Sequence, residues 1–340
     1  MRSFFSKSSV RTAMVSIIAM LLTVSSYAQS IWIKDHISAR NRVSEESLRF
    51  KVEFMTDSIC AGRGTGTRGG VETAAWIARE FEKSGLMKSK GTYYQRFQTE
   101  KGICGANLIG FLPNSSRKAY HRYVIVGAHY DHLGTIKGTM YPGADSNASG
   151  TAALLSLAEM FATTKMNGKI WDSNIIFVAF DANGHDLAGS QALWNMIERG
   201  ELTDPVSGGR ITKQMISLMV NIDQVGCTMS PLRSGRKDYM IILGNHSLKP
   251  SQQYNLEMCN ILYKINLELS ETYYGSTNFT KMFYRLSDQR VFIDNNIPAV
   301  MFTSGITMNN NKTRDKAASL DYPILKKRLF FMYHWIENLL

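Results

Sequence analysis

The sequence has few cysteines, and no two of them form a close pair. The chain of 340 residues contains four cysteines, which are Cys60, Cys104, Cys227 and Cys259. The absence of a Cys-x-x-Cys motif argues against a zinc ribbon and against a thioredoxin-like redox site. Four cysteines allow three disulfide pairings. The sequence does not choose among these pairings, or between them and four free thiols.

A dense cluster of Lys and Arg interleaved with aromatic residues is also missing. The formal net charge is nevertheless +11 at pH 7, which favours anionic partners in general. The short basic patch at 325–329 lies in an apolar pattern with helical spacing, so it is expected to be the solvated face of a helix. We therefore expect no nucleic-acid partner.

No apolar run reaches the roughly 20 residues that a membrane-spanning helix needs. An apolar run at 13–24 follows a start with no acidic residue and with three basic ones, which are Arg2, Lys7 and Arg11. This order predicts a secretory signal peptide at 1–28, with a signal anchor as the alternative. The remaining chain, 29–340, is then exported to the periplasm or the extracellular space, without stable membrane insertion.

The rest of the chain alternates between strand-like and helix-like segments. Short apolar runs predict strands at 123–129, 174–180, 215–223, 239–244 and 297–302. Apolar residues at i, i+3, i+4 and i+7 predict helices at 71–86, 149–164, 188–200 and 323–340. Such alternation indicates an α/β fold with a mostly parallel sheet and helices on both faces.

Polar residues follow the predicted strands at their carboxyl ends, where ligands bind in sheets of this class. His129 and Asp131 are two positions apart, so in extended chain they point the same way. A carboxylate that accepts the second ring N–H of a His is a common feature of metal sites. Asp145 lies in a Gly-rich turn, and Asp223 follows another strand. Each is an ordinary turn residue alone, but together they predict a shared site.

Four motifs occur in the order typical of metallopeptidase family twenty-eight, the zinc aminopeptidase family that also holds carboxypeptidase and glutaminyl-cyclase relatives. They are GAHYDHLG at 127–134, PGADSNASG at 142–150, FVAFD followed by AGS within 177–190, and VNIDQVG at 220–226. The resemblance covers nearly all of 29–340 and implies one α/β domain with a central mixed sheet. It also implies zinc, with Asp145 as the bridging carboxylate, His129 and Asp223 as further ligands of one ion, and Asp131 behind the His.

The same resemblance shows which family residues are absent. The family has two consecutive Glu residues after FVAF, a general base and a ligand of a second metal. Asn183 stands at the base position and Gly184 at the ligand position. The last family ligand, a His, falls near Asn311, and no His occurs at 247–333. No catalytic base is retained.

Two further departures are Ser146, where a second Asp usually follows the bridging one, and Gln289, where a His is usual. The surviving residues predict at most one zinc ion, bound by His129, Asp145 and Asp223. The sequence therefore predicts a weak or inactive peptidase, a pseudoenzyme whose cleft binds a peptide or an amino-acid-like ligand.

Two alternatives remain open at this point. In the first, the protein is an active metallo-aminopeptidase in which His185 or Asp186, just after the vacated positions, replaces the lost Glu residues. This is chemically reasonable because His is a good general base near neutrality. Against this, Asn-Gly-His-Asp is an ordinary exposed turn. The other alternative is a purely structural protein, which leaves the strand-end residues without a role.

Overall fold

The computed structural model describes residues 40–41, 43–114, 122–229 and 235–340. The predicted signal peptide at 1–28 lies outside these ranges. Residues Val43–Leu340 form one unit, and its four cysteines are all free thiols. None of the helices in the described ranges is long and apolar enough to cross a membrane.

The strands of the described chain belong to one large sheet and one small hairpin. The large sheet contains β1 (Tyr94–Gln98), β2 (Cys104–Leu112), β3 (Tyr123–His129), β6 (Asn174–Phe180), β7 (Ile216–Ile222), β8 (Tyr239–Leu243), β9 (Glu268–Ser270) and β10 (Ala299–Thr303). The hairpin consists of β4 (Thr135–Ile136) and β5 (Thr139–Met140). In space the large sheet runs β1-β2-β6-β3-β7-β10-β8-β9.

The centre of this sheet is parallel and its flanks are mixed. β6, β3, β7 and β10 run parallel to one another. β1 and β2 form an antiparallel pair, and β2 is antiparallel to β6. Beyond β10, β8 is antiparallel to it, whereas β9 is parallel to β8. The predicted fold class, an α/β domain with a mixed and mostly parallel sheet, is confirmed.

Helices cover the sheet on both faces. They are α1 (Glu45–Thr56), α2 (Arg68–Lys83), α3 (Ser149–Met166), α4 (Ala188–Glu198), α5 (Pro250–Leu262), α6 (Thr277–Phe283), α7 (Gln289–Asp294) and α8 (Tyr322–Glu337). The four predicted helices correspond to α2, α3, α4 and α8.

Two residues of β6, Phe177 and Phe180, pack against the helices on opposite faces of the sheet. Phe177 packs against Phe161 of α3, which also contacts Tyr333 of α8. Phe180 instead packs with Phe292 of α7, which contacts Trp194 of α4. Because neighbouring side chains of a strand point to opposite faces, every residue of β6 is buried. Such continuous burial is expected of a central parallel strand, and it leaves only the strand ends open to a ligand.

Candidate active site

A cleft of about 670 Å³ opens at the carboxyl ends of the central strands. Its lining includes His129 at the end of β3, Asn183 beyond β6, Asp223 beyond β7 and Thr303 at the end of β10. This is the edge of an open α/β sheet where ligands are expected to bind.

His129 lies between two carboxylates. Its Nε2 atom is 3.4 Å from Oδ1 of Asp223. Its Nδ1 atom is 3.1 Å from the carbonyl oxygen of Asp131 and 3.5 Å from Oδ1 of the same residue. Burial alone would lower the pKa of His129, but the charges of Asp223 and Asp131 outweigh it and raise that pKa well above its ordinary value. The structure thus brings His129, Asp131 and Asp223 together.

Asp131 also fixes the turn that follows β6. Its carboxylate accepts hydrogen bonds from the backbone N–H of Asn183, at 3.0 Å, and of Gly184, at 3.3 Å. The turn that carries the two vacated positions, Asn183 and Gly184, is therefore hydrogen-bonded directly to the Asp131 carboxylate beside His129.

Asp145 does not join this group, contrary to the sequence prediction. Its Oδ1 atom accepts hydrogen bonds from the backbone N–H groups of Gly226 and Cys227, at 2.9 and 3.1 Å. The neighbouring Ser146, and not Asp145, lines the cleft. Burial raises the pKa of Asp145 to about 6. The carboxylate assigned as a bridging ligand instead holds the loop after β7 in place.

The backbone of the turn at 144–148 explains this orientation. The turn follows Gly143, whose φ of 58° is left-handed, a conformation that suits glycine. The backbone N–H groups of Asp145 and Ser146 then both donate to the buried carboxylate of Asp315, at 2.9 and 3.2 Å. Asp315 therefore sets which side chain of the turn faces the cleft.

The donor set near His129 does not fit a zinc ion. Catalytic zinc sites take three protein ligands and one open position. Within the described ranges, no group of three or more His, Cys, Asp or Glu side chains is arranged to hold a metal. His129 and Asp223 offer two donors, and the residue beside them is the hydroxyl-bearing Ser146. The predicted ligand set of His129, Asp145 and Asp223 is thus not assembled.

The two vacated positions of the turn face the cleft without an ionisable group. The amide of Asn183 donates to Oδ2 of Asp288 at 3.0 Å. Gly184 has no left-handed φ, and a Cβ there would meet only Oδ2 of Asp131, at 3.9 Å. The backbone therefore does not require glycine at this position. Asn311, the third vacated position, lines the cleft from the loop after β10.

His185 and Asp186, the proposed substitutes, are placed differently. His185 lines both the cleft and an adjoining groove. Asp186 is exposed and lines the groove but not the cleft. Of the two, His185 alone is positioned to meet a ligand in the cleft.

Sequence reasoning missed a buried carboxylate beneath the vacated base position. Asp288 is fully buried, and its Oδ1 atom has no hydrogen-bond partner among the described residues. Burial raises the pKa of Asp288 to about 6. The sequence did contain a signal for Asp288, because the Ser-Asp dipeptide at 287–288 is part of the family resemblance. That resemblance was used only to identify the departure at the following residue, Gln289.

A buried arginine, Arg63, was also missed. Its guanidinium donates to the carbonyl oxygens of Met55, Tyr130, Pro142 and Gly143 at 2.6 to 2.8 Å. These bonds tie the segment after β3 to the turn that carries Ser146. Burial lowers the pKa of Arg63 to about 10, so the side chain stays charged at neutral pH.

Comparison with known proteins agrees with the fold. The sequence profile of Peptidase family M28 matches residues 107–335. A "Probable leucine aminopeptidase" of Arthroderma otae is 28% identical over 203 residues, which span 57% of this chain and 46% of the relative. The chain therefore spans about half the length of that curated relative.

Solved structures with the same fold come from several bacteria. The LapA aminopeptidase of Legionella pneumophila superimposes with a TM-score of 0.67 at 17% identity, over 90% of this chain and 74% of LapA. The glutaminyl cyclase of Porphyromonas gingivalis gives a TM-score of 0.60 at 15% identity, over 87% of this chain and 99% of the cyclase. With a profile match over most of its length and a shared fold, the chain belongs to Peptidase family M28.

Proposed function

We propose that this protein is a weak or inactive member of its family that binds the amino-terminal part of a peptide, or an amino-acid-like ligand, in the cleft. One observation carries the proposal. The turn after β6 presents an amide, Asn183, and a glycine, Gly184, where a proton acceptor is needed. An amide does not accept a proton near neutral pH, and a positioned general base contributes about 10²–10⁴-fold to a rate.

The cleft lining is rich in hydrogen-bond acceptors. Oε1 of Gln224 and Oδ1 of Asn310 are buried and lack a hydrogen-bond partner within the described residues, and Asp223, whose Oδ1 lies 3.4 Å from Nε2 of His129, lines the cleft with them. Buried acceptors normally have a partner, and an ammonium group supplies three donors. These acceptors favour a ligand with a free amino group.

The lining also contains apolar side chains. They include Leu243, Tyr273, Phe283, Met301 and Ile306. Ligand sites typically combine such apolar lining with a few polar groups that fix orientation. An amino group beside an apolar side chain, as at the start of a peptide, matches both parts of this lining.

Calorimetry with leucine amide tests this proposal. Asp223→Asn removes the charge that faces the ammonium group, so we expect its affinity to fall at least tenfold. Asp186→Asn, outside the cleft, is the matched control and should change the affinity less than twofold. Absence of binding to the wild type, or equal effects of the two substitutions, would refute the proposal.

A second candidate is an active aminopeptidase in which His185 acts as the base, favoured by the place of His185 in the cleft lining. Turnover of a panel of aminoacyl nitroanilides by the wild type, abolished by His185→Ala, would establish it. Absence of turnover in the wild type would exclude it.

We further infer that the protein acts outside the cytoplasm, on the basis of the signal-peptide pattern at 1–28. Amino-terminal sequencing of the protein from cell fractions tests this. We expect exported protein that begins at or near Gln29, whereas an uncleaved cytoplasmic chain would contradict it.

A further inference from the structure

β1 is an outer strand of the large sheet and pairs only with β2 among the described residues. An edge strand leaves a row of backbone N–H and C=O groups available to another chain. Arg96 lies opposite Ala106, and Ala106 donates its N–H to the Asp181 carboxylate and not to β1. Arg96 is therefore in a non-hydrogen-bonded pair, and its own N–H points away from β2.

A cavity lies on each side of this free edge. The α4 groove, about 810 Å³, lies between β1 and α4 and is lined by polar residues that include Gln191, Asn195 and Arg199. The α2 groove, about 610 Å³, lies between β1 and α2, and its lining includes Val71 and Ala74. Arg96, Phe97 and Gln98 of β1 line both grooves. The free edge thus has space on both faces.

The α4 groove adjoins the cleft, because His185 lines both cavities. The carboxyl end of β1 is the end near the cleft, because Asp181, the residue after β6, bonds to β2 opposite Arg96. At the other end, Lys90, just before β1, donates to the carbonyl oxygen of Glu201, which lines the far part of the groove. The groove therefore runs from the cleft back along β1.

The wall of the groove is already assembled. The Gln95 amide of β1 donates to the carbonyl oxygen of Ala192 in α4 at 2.8 Å, and Asn107 of β2 donates to the same Gln95 side chain at 2.8 Å. A site that needs no rearrangement avoids part of the entropic cost of binding. A groove between an edge strand and a helix is also a known geometry for strand addition by peptides.

We infer that an extended peptide adds to β1 as an antiparallel strand, with its amino terminus in the cleft and its following residues along the α4 groove. The inference rests on the proposed function, which places the free amino group in the cleft. A peptide that leaves the cleft in this direction runs opposite to β1. Successive side chains of a strand point to opposite faces, so they enter the polar α4 groove and the more apolar α2 groove in turn. The ligand is a peptide with alternating polar and apolar residues.

The test compares two probes by fluorescence competition and calorimetry. One is leucine amide, which fills the cleft alone. The other is a labelled decapeptide that begins with Leu and then alternates Thr and Val, so that it also reaches β1. We expect the decapeptide to bind the wild type at least tenfold more tightly than leucine amide.

Arg96→Pro removes the outward N–H of the edge strand without removing a bond to β2, because proline is tolerated at such positions. It should abolish the tenfold gain and leave leucine amide binding unchanged. Arg96→Ala, which keeps the N–H, is the matched control and should retain most of the gain. Ala192→Trp, which fills the α4 groove, is a second variant that does not depend on the strand backbone.

Distinct results overturn the inference. Equal affinity of the wild type for the two probes, or an undiminished gain in both Arg96→Pro and Ala192→Trp, would refute it while the proposed function stands. Failure of the wild type to bind either probe would refute the proposed function and the inference with it. If Arg96→Pro converts a dimer to a monomer without changing peptide affinity, the edge pairs with a second copy and the inference is wrong.

Discussion

At the scale of single residues, the carboxyl group of Asp288 is buried beneath the cleft, and its Oδ1 atom has no hydrogen-bond partner among the described residues. Asp288 has a pKa of about 6, raised from 3.8 by burial. Between these pH values the folded protein retains a proton that the unfolded chain has lost. The free energy of unfolding therefore falls as the pH rises through this window.

Asp288→Asn should remove the contribution of Asp288 to this fall, because the amide is neutral and its oxygen still accepts the bond from Asn183. The wild type is expected to lose about 2 kcal/mol more than the variant between pH 4 and pH 6. Urea unfolding at a series of pH values measures the difference. Asp294→Asn, at a carboxylate that is 41% exposed, is the control, and identical pH slopes for wild type and Asp288→Asn would contradict the prediction.

Residues at or just beyond the ends of regular strands lie close together, as the strand pattern led us to expect. His129, Asp131 and Asp223 were brought together by two simple facts, the alternation of side chains and the shared edge of parallel strands. Asp145 was misplaced because it lies in an irregular turn, where one left-handed glycine and a distant carboxylate decide the orientation. Arg63 was missed because its partners are backbone carbonyls, some about 80 positions away, and carbonyls leave no pattern in a sequence.

At the scale of elements, the junction between β6 and α4 sets the walls of both the cleft and the α4 groove. α4 approaches the end of β6 closely at Gly189, where an added Cβ would lie 2.1 Å from the carbonyl oxygen of Asp181 and 2.5 Å from Oδ1 of Asn107. Both contacts involve atoms that are held in place. A side chain at Gly189 therefore has to displace the start of the helix.

Gly189→Ala is expected to destabilise the protein by about 1–3 kcal/mol, the usual cost of overpacking a tight contact. Gly184→Ala, five positions earlier in open space, is the matched control and should stay within about 0.5 kcal/mol of the wild type. Chemical denaturation of the three proteins checks the pair. Equal stability of Gly189→Ala and the wild type would show that the junction is not tight.

Elements with strong patterns were predictable, and those with weak patterns were not. β3 and β6 are continuous apolar runs, and their predicted ranges match the structure. β1 was not predicted, because it is half-exposed and three of its five residues, Gln95, Arg96 and Gln98, are polar or charged. α5 was not predicted either, since Tyr254, Ile261 and Leu262 are exposed apolar residues that blur its amphipathic pattern.

At the scale of the whole molecule, the fold class followed from the alternation of strands and helices, but the sheet order did not. The antiparallel placement of β2 beside β6 joins segments about 70 residues apart, and no local pattern specifies such a pairing. The consequence matters for function, because this arrangement places β1 at the outer edge of the sheet that the described residues form, next to the cleft.

We propose, as the central claim, that the chain keeps the frame of an M28 peptidase, while its described residues present neither a three-donor zinc site nor, at Asn183 and Gly184, a proton acceptor in the cleft. Zinc content of the purified full-length protein, dialysed without chelator and measured by mass spectrometry, tests it most directly. Because the described residues offer two donors where a catalytic zinc site needs three, we expect well below one zinc ion per chain. One or two zinc ions retained per chain would contradict the account.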